Sequence, residues 1–233
     1  MGYSQRGEVI DREGEVIYRA AGFHDPPTAK ERATQAQIAS GSSFELVTGV
    51  IGAVIAVSGV AGYFPAYMAA IATIAIGLAL IAQGGTLAAR WQTGPHVAST
   101  ARIEALGIGT EVIGGFAGIA LGALALLGVA PSVLSPVAMI VVGAALLFGG
   151  PAEPQLAAAA PRARQPFRVA RDSMRTASSV MVMGGLAGIV LGVLGLTLDR
   201  YTFVLANIAA LCVAGALTVA GGAVTARFGR RFA

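Results

Sequence analysis

The sequence has little of what a catalytic or disulfide-stabilised domain requires. Of its 233 residues only 12% are charged, two are histidines, one is a tryptophan and one is a cysteine. A lone cysteine, Cys212, excludes an internal disulfide framework and a cysteine-rich metal site. His24 and His96 have no cysteine or carboxylate at metal-ligand spacing, so we expect neither a metal nor a cofactor.

Motifs of catalysis are also missing. The sequence contains no nucleophile–base pairing, no phosphate-binding loop after a strand and no pair of acids that a cleft would bring together. We therefore expect no catalytic residues and no enzyme activity.

Apolar residues and glycine take the place of charge. The chain is 55% hydrophobic with 32 glycines, and its mean hydropathy is +0.73. The hydrophobic fraction is higher, and the charged fraction lower, than in soluble domains, in which about a quarter of residues are charged. Six apolar runs are long enough to cross about 30 Å of hydrocarbon as helices. The runs are Phe44 to Tyr63, Ala66 to Ala88, Ile108 to Ala130, Ser132 to Gly150, Val180 to Leu198 and Thr202 to Ala226.

The six runs form three related pairs. Five residues of the second pair recur as the same residue type 66 positions earlier, in the first pair. They are two glycines before the tip, the proline at the tip and two glycines after it. Adding 70 maps four glycines of the second pair onto glycines of the third, whose tip is two residues longer and has Tyr201 in place of the proline. Repetition at a fixed spacing indicates a duplicated unit. We predict an all-α membrane protein with six transmembrane helices, arranged as three parallel-oriented helical hairpin repeats about a pseudo-threefold axis.

The remaining segments are polar. Residues 7–19 place two Val/Ile pairs around a turn-rich tetrapeptide, which predicts a small β-hairpin, and Thr28 begins a polar helix that extends to about Ser40. The segment has no apolar core followed by a small-residue cleavage site, so a removable signal peptide is not expected. The predicted divisions are an N-terminal arm (1–43), hairpin repeats at 44–88, 108–150 and 180–226, an Arg-rich connection (151–179) and a basic tail (227–233).

Basic residues predict the orientation in the membrane. Fifteen of the 16 Lys and Arg residues lie in the termini and the two long connections, whereas only Arg200 lies at a hairpin tip. The positive-inside rule therefore places both termini and the connections in the cytoplasm. Because topology explains these basic residues, nucleic acid is not expected as a partner.

The unit consists of a glycine-rich helix, a proline at the tip and a second helix with two spaced glycines. The residues are Gly122, Pro131, Gly143 and Gly149 in the second copy, and Pro65, Gly77 and Gly84 in the first. This pattern resembles the short repeat of the HdeD-like acid-resistance membrane proteins, a six-span bacterial family. The resemblance covers about residues 44 to 226 and implies a multi-pass protein of the bacterial cytoplasmic membrane linked to stress tolerance, with no catalytic residues.

Glu45 and Glu111 are related by the 66-residue spacing, and the third copy has Met181 at this position. A carboxylate in a membrane span is a functional candidate because its insertion is costly. Both residues lie near the start of a span, where a glutamate can reach water and favours the positive end of the helix dipole. We expect an interfacial or interhelix contact, with ion or proton handling as the alternative. Gln83 and Asn207 are expected to form interhelix hydrogen bonds.

Small residues one turn apart indicate close helix packing. Packing within the monomer is expected, with an oligomer interface as the alternative. The positions are Gly52, Gly118, Gly122, Gly188 and Gly192.

The stretch from Pro161 to Arg175, between the second and third hairpins, has five arginines and a single acidic residue. We expect them to contact anionic lipid headgroups, with an acidic protein partner as the alternative. They are Arg162, Arg164, Arg168, Arg171 and Arg175.

The sequence favours a non-catalytic inner-membrane protein, either a stress-related membrane component or an accessory subunit of a larger membrane complex, with a protein partner or further copies of itself. The alternative is a channel or transporter with Glu45 and Glu111 at its cytoplasmic mouth. The spans contain few of the polar groups that a water-filled pathway needs.

Overall fold

The computed structural model describes the backbone of residues 2–3, 8–10, 16–19, 29–93, 101–149 and 168–229. It describes side chains in 43–85, 109–149 and 178–222. The chain divides into two compact units, Met1–Gln35 and Ala36–Ala233. Most of the Arg-rich connection and the last residues of the basic tail lie outside the described residues.

The first unit contains three short strands. Strand β1 (Gly2–Tyr3) pairs antiparallel with β2 (Glu8–Ile10), which pairs antiparallel with β3 (Val16–Arg19). The register between β2 and β3 is irregular between Val9 and Ile10. The two Val/Ile pairs of the sequence thus lie in β2 and β3. Valine and isoleucine are residue types that strands favour.

Within the described chain, six long α-helices follow. They are α1 (Ala29–Val60), α2 (Pro65–Thr93), α3 (Ala101–Leu126), α4 (Pro131–Gly149), α5 (Arg168–Thr197) and α6 (Thr202–Gly229). Each contains a stretch that is long and apolar enough to span a membrane. The polar helix predicted from Thr28 to Ser40 is the first part of α1 and not a separate helix, because the sequence there contains no proline to end it.

The first hairpin turns within four residues. Gly62 has a φ of +92°, which glycine adopts without strain, and its N–H closes the last turn of α1 together with that of Tyr63. Phe64 also has a positive φ, of 43°, and Pro65 is the first residue of α2. Proline is favoured there because the N–H it lacks would have no partner within the helix.

The second hairpin repeats this turn 66 residues later. Gly128 has a φ of +85°, Ala130 has a φ of 39°, and Pro131 begins α4. Four backbone hydrogen bonds of the first tip recur at the same spacing in the second, which has one more, from the Val133 N–H to the Ala130 oxygen. The same sequence pattern, glycine two residues before a positive-φ residue and proline next, therefore gives the same turn.

The third hairpin turns differently. Residues Asp199–Tyr201 form a 3-10 helix between α5 and α6. The Thr202 hydroxyl lies 2.9 Å from the carbonyl oxygen of Gly195 and 3.1 Å from that of Asp199. Here a side chain satisfies the end of α5, where the other tips use backbone N–H groups.

The second helices of the hairpins form the centre of the bundle. Helices α2, α4 and α6 contact one another, α3 packs against α2 and α4, and α5 packs against α4 and α6. Residues of α1 contact α6 and α2. The core is rich in alanine, and its largest apolar side chains are few; they are Ile76, Leu80, Met139, Leu146, Met181 and Leu217.

The outward faces of the described helices are apolar. Large hydrophobic side chains are exposed on all three hairpins, which in a soluble protein would form an aggregation-prone surface. Those more than 60% exposed outside the hairpin tips are Val54, Ile113, Phe116, Phe148 and Met183. This surface is suited to lipid.

Several helices extend into charged sequence at the end away from the tips. Helix α2 includes Arg90 and ends at Thr93, and α5 begins at Arg168 and includes Arg171 and Arg175. Helix α3 begins at Ala101 and includes Arg102, and α6 includes Arg227 and ends at Gly229, whereas α4 contains no charged residue.

Candidate functional site

The two glutamates of the membrane spans are buried. Glu45, in α1, is 4% exposed and Glu111, in α3, is 0% exposed; Met181, at the corresponding position of α5, is also 0% exposed. Both side chains are thus buried against neighbouring helices. The 3.6-residue period explains this, because neighbouring small residues of the same helix face also pack inward.

Gly149 provides the space that the Glu111 side chain occupies. A Cβ placed on Gly149, in α4, would lie 2.5 Å from Cγ and 2.6 Å from Cδ of Glu111, and closer still to one carboxylate oxygen. Any other residue at 149 would therefore displace the glutamate. This role was not apparent from the sequence analysis, although one signal was present: the residue 66 positions earlier is Gln83, a large side chain at a position where the second copy has glycine.

Gln83 connects two hairpins. Its side chain is 1% exposed, and Nε2 lies 3.7 Å from Sδ of Met181. A thioether sulfur is a weak acceptor, so the bond orients the amide more than it stabilises the bundle. A polar side chain from α2 thereby reaches α5, in which Met181 replaces the glutamate of the other two copies.

Asn207 connects two hairpins at the end of the bundle where the tips lie. It is fully buried in α6, and Nδ2 donates hydrogen bonds to the carbonyl oxygens of Pro65, at 2.9 Å, and Phe203, at 2.7 Å. Gly59 of α1 lies against it, since a Cβ there would overlap the amide. The bond to Pro65 is an interhelix hydrogen bond between the third and first hairpins, and it is anchored at the tip of the first.

The glycines singled out in the sequence lie at contacts between helices of the same chain. Gly122 faces the backbone of α2 and Gly192 that of α4, where a Cβ would lie 2.9 and 2.8 Å from carbonyl oxygens. Gly118 and Gly188 lie against both neighbouring second helices, and Gly52 lies against α6 and α2. Such separations are possible only between helices that lack side chains at the contact.

The arginines of the connection are only partly placed. Arg168, Arg171 and Arg175 lie in the first turns of α5, but their side chains are outside the described set. Arg162 and Arg164 lie outside the described residues. The spacing of Arg168, Arg171 and Arg175, three and then four residues, places these three positions on one face of α5.

The described residues supply a buried polar lining but no recognisable reaction centre. Within the ranges whose side chains are placed, no three His, Cys, Asp or Glu residues lie together as metal ligands would. What the arrangement can do is form hydrogen bonds between helices and hold a carboxyl group inside the bundle. Because these buried polar groups lie near the ends of α2, α4 and α6, they help to determine how the hairpins associate.

Six apolar helices with lipid-compatible outer faces define a multi-pass α-helical membrane protein. Comparison of the chain with models of protein families, with curated proteins and with solved structures finds no match.

Proposed function

We propose that this chain is a non-catalytic membrane protein that acts through helix packing, as an accessory or structural subunit of a larger membrane complex or as a stress-related component of the membrane. The observation that carries the proposal is the density of the bundle. Cβ atoms on Gly77 and Gly143 would each lie 2.6 Å from a carbonyl oxygen of the next hairpin. Contacts this close leave no room for water between those helices. A water-filled pathway would also need polar groups along its walls.

The three hairpins are proposed to be copies of one unit about a pseudo-threefold axis. Two hairpin tips share their backbone conformation at a spacing of 66 residues, and each described first helix packs between two second helices. Gly77 faces Gly115 in the same way that Gly143 faces Gly185. These correspondences support duplication of a two-helix unit, which conserves orientation in the membrane. The resemblance to the HdeD-like family supports a bacterial cytoplasmic membrane and a role in stress tolerance.

The proposed orientation has the termini and long connections in the cytoplasm. All described helix extensions lie on that side, and the five connection arginines would there meet anionic headgroups, each contributing about 1 kcal/mol near the surface. Substituted-cysteine labelling in intact cells tests the orientation in a Cys212→Ser background. A cysteine at Tyr63, a tip residue that is 68% exposed, should react with an impermeant maleimide, and one in the basic tail should react only after permeabilisation.

Native-membrane purification tests the accessory role. The protein extracted in mild detergent is expected to migrate with a second polypeptide, at a mass well above the 23.4 kDa of the chain. A matched control carries Arg168, Arg171 and Arg175 replaced by glutamine, which should retain the fold while reducing association through charge. Migration at monomer mass under all extraction conditions would exclude the accessory role.

A second candidate is ion or proton translocation with Glu45 and Glu111 as the membrane carboxyl groups. The observation favouring it is their burial, because an ionisable side chain inside a span is costly and is retained where it has a role. Reconstitution in liposomes would compare the unaltered protein with Glu45→Gln and Glu111→Gln, which preserve size and hydrogen bonding. Flux above that of empty liposomes, reduced by either substitution, would support this function; equal leak in all samples would exclude it.

A further inference from the structure

The three hairpins meet at three inter-hairpin contacts, α2–α3, α4–α5 and α6–α1. In the first two, a glycine of the second helix faces a glycine of the next hairpin. A Cβ on Gly77 would lie 2.6 Å from the Gly115 oxygen, and one on Gly143 would lie 2.6 Å from the Gly185 oxygen. Both contacts are therefore made backbone to backbone along their centres.

The α6–α1 contact is different. Gly49 of α1, the counterpart of Gly115 and Gly185, faces Ala214, which takes the place of Gly77 and Gly143. A Cβ on Gly49 would lie 3.2 Å from the Ala214 oxygen and 2.7 Å from Oγ1 of Thr218, whereas a Cβ on Gly115 or Gly185 would lie 2.7 or 2.6 Å from the facing glycine oxygen. A Cβ on Gly215, the next residue of α6, would have no atom within 4 Å. The main chains of α1 and α6 therefore approach less closely at this point.

A second glycine position of the repeat is also occupied by alanine in the α6–α1 contact. Gly122 and Gly192 approach a carbonyl oxygen so closely that a Cβ would lie within 2.9 Å of it, and the first hairpin has Ala56 at this position. The alanine methyl group prevents the same approach. Gly52, one turn earlier, is correspondingly less tightly packed, since the nearest atom to its Cβ position is 3.5 Å away, against 2.8 Å for Gly118.

A hydrogen bond takes the place of this packing at the tip end. Asn207 of α6 donates to the Pro65 oxygen at the start of α2 and lies against Gly59 of α1. The corresponding residues of the other second helices are Ala70 and Pro136, neither of which has a polar side chain; Pro136 lies against Gly195 as Asn207 lies against Gly59. In the described chain only this inter-hairpin contact is closed by a side-chain bond to the next hairpin's tip.

We propose that the bundle opens between α6 and α1, and that Asn207 is the latch that holds this contact closed. Opening there separates the first and third hairpins, including the α2–α6 packing and the weak Gln83–Met181 bond, while leaving the glycine-packed α2–α3 and α4–α5 contacts intact. A side-chain bond near the tip can be exchanged for water in a single step, whereas backbone packing must be lost over several residues together. Loss of the bond leaves no carbonyl stranded, because Pro65 and Phe203 lie in the first turns of helices, where main-chain N–H groups also reach their oxygens.

Pairs of spin labels in nanodiscs test the latch. In a Cys212→Ser background, one pair at Tyr63 and Val204 reports on the α6–α1 contact, and a matched pair at Ser132 and Arg200 reports on the α4–α5 contact. All four positions are exposed. Asn207→Ala is expected to raise the ratio of long to short distances for the first pair about 3- to 18-fold, the range that membrane hydrogen bonds of ordinary strength would give. The second pair should not change.

Ser135→Ala, which removes from α4 a buried hydroxyl that makes no hydrogen bond among the described residues, is the control and should leave both distance distributions as they are. Ala56→Gly in the otherwise unaltered protein tests the idea without touching Asn207, and it should narrow the first distribution by allowing the glycine approach. Unchanged distances in both Asn207→Ala and Ala56→Gly, or equal broadening of both label pairs in Asn207→Ala, would overturn the proposal.

Discussion

Two glycines in the second helices of neighbouring hairpins should respond in opposite ways to the same substitution. At Gly143 an alanine Cβ would lie 2.6 Å from the Gly185 oxygen and 3.0 Å from the Ile189 nitrogen, both main-chain atoms. Helices α4 and α5 would have to separate by about 0.8 Å to restore an ordinary contact of 3.4 Å. At Gly215, in α6, the same Cβ would enter open space.

The magnitude follows from two opposing terms. Overpacking in a tight core costs about 1–3 kcal/mol, whereas Gly→Ala within a helix gains about 0.8–1 kcal/mol of propensity. The propensity gain is common to both variants and cancels in their difference. Gly143→Ala should therefore be less stable than Gly215→Ala by about 1–3 kcal/mol, and Gly215→Ala should be at least as stable as the unaltered protein.

Reversible unfolding in mixed detergent micelles, followed by far-ultraviolet circular dichroism, measures this difference. The free energies of unfolding of the two variants are compared under one set of conditions, so errors of extrapolation largely cancel. Equal stability of Gly143→Ala and Gly215→Ala would refute the packing description of the inter-hairpin contacts, and with it the distinction between α4–α5 and α6–α1.

Three further substitutions have defined outcomes in the same assay. Gly149→Ala should destabilise by about 1–3 kcal/mol because its Cβ displaces the Glu111 side chain, and adding Glu111→Ala should recover much of the loss; a double variant that is no better than the single one would contradict this contact. Gly62→Ala and Gly128→Ala should each cost about 1–2 kcal/mol and by equal amounts, since both have φ near +90°, and a large inequality would show that the two turns differ. Thr202→Val should cost about 1 kcal/mol through loss of the hydroxyl bond at the third tip, measured against Thr202→Ser, which keeps it.

The spans and two of the three tips could be predicted because each depends on local sequence. An apolar run of about 20 residues gives a helix wherever it occurs in lipid, and the glycine and proline at the tips fix the backbone within four residues. The continuous α1 was not predicted, because the change from polar to apolar residues near Phe44 was interpreted as a boundary. The helix passes through it, since composition alone does not interrupt the backbone hydrogen bonds.

The partners of the polar side chains could not be predicted in the same way. The spacing of the repeats related Glu45 to Glu111, but whether these side chains face water or the bundle depends on the rotation of each helix, which the sequence does not specify. The register of α6 is a clearer case. By the glycine pattern Gly215 is the counterpart of Gly143, but in the structure Ala214 takes that place, so the third tip adds one residue to the spacing of the packed helices and not two.

The helix extensions on one side of the spans have a practical consequence for any work with this protein. Helix α2 continues to Thr93 and includes Arg90, and α5 begins at Arg168 and includes Arg171 and Arg175, so both helices continue into charged sequence on this side. The opposite side offers only the short tips, of which the first two are four residues each. On one side of the membrane the helices therefore offer a structured surface that antibodies can bind and to which affinity handles and fusion partners can be attached. The other side offers almost none.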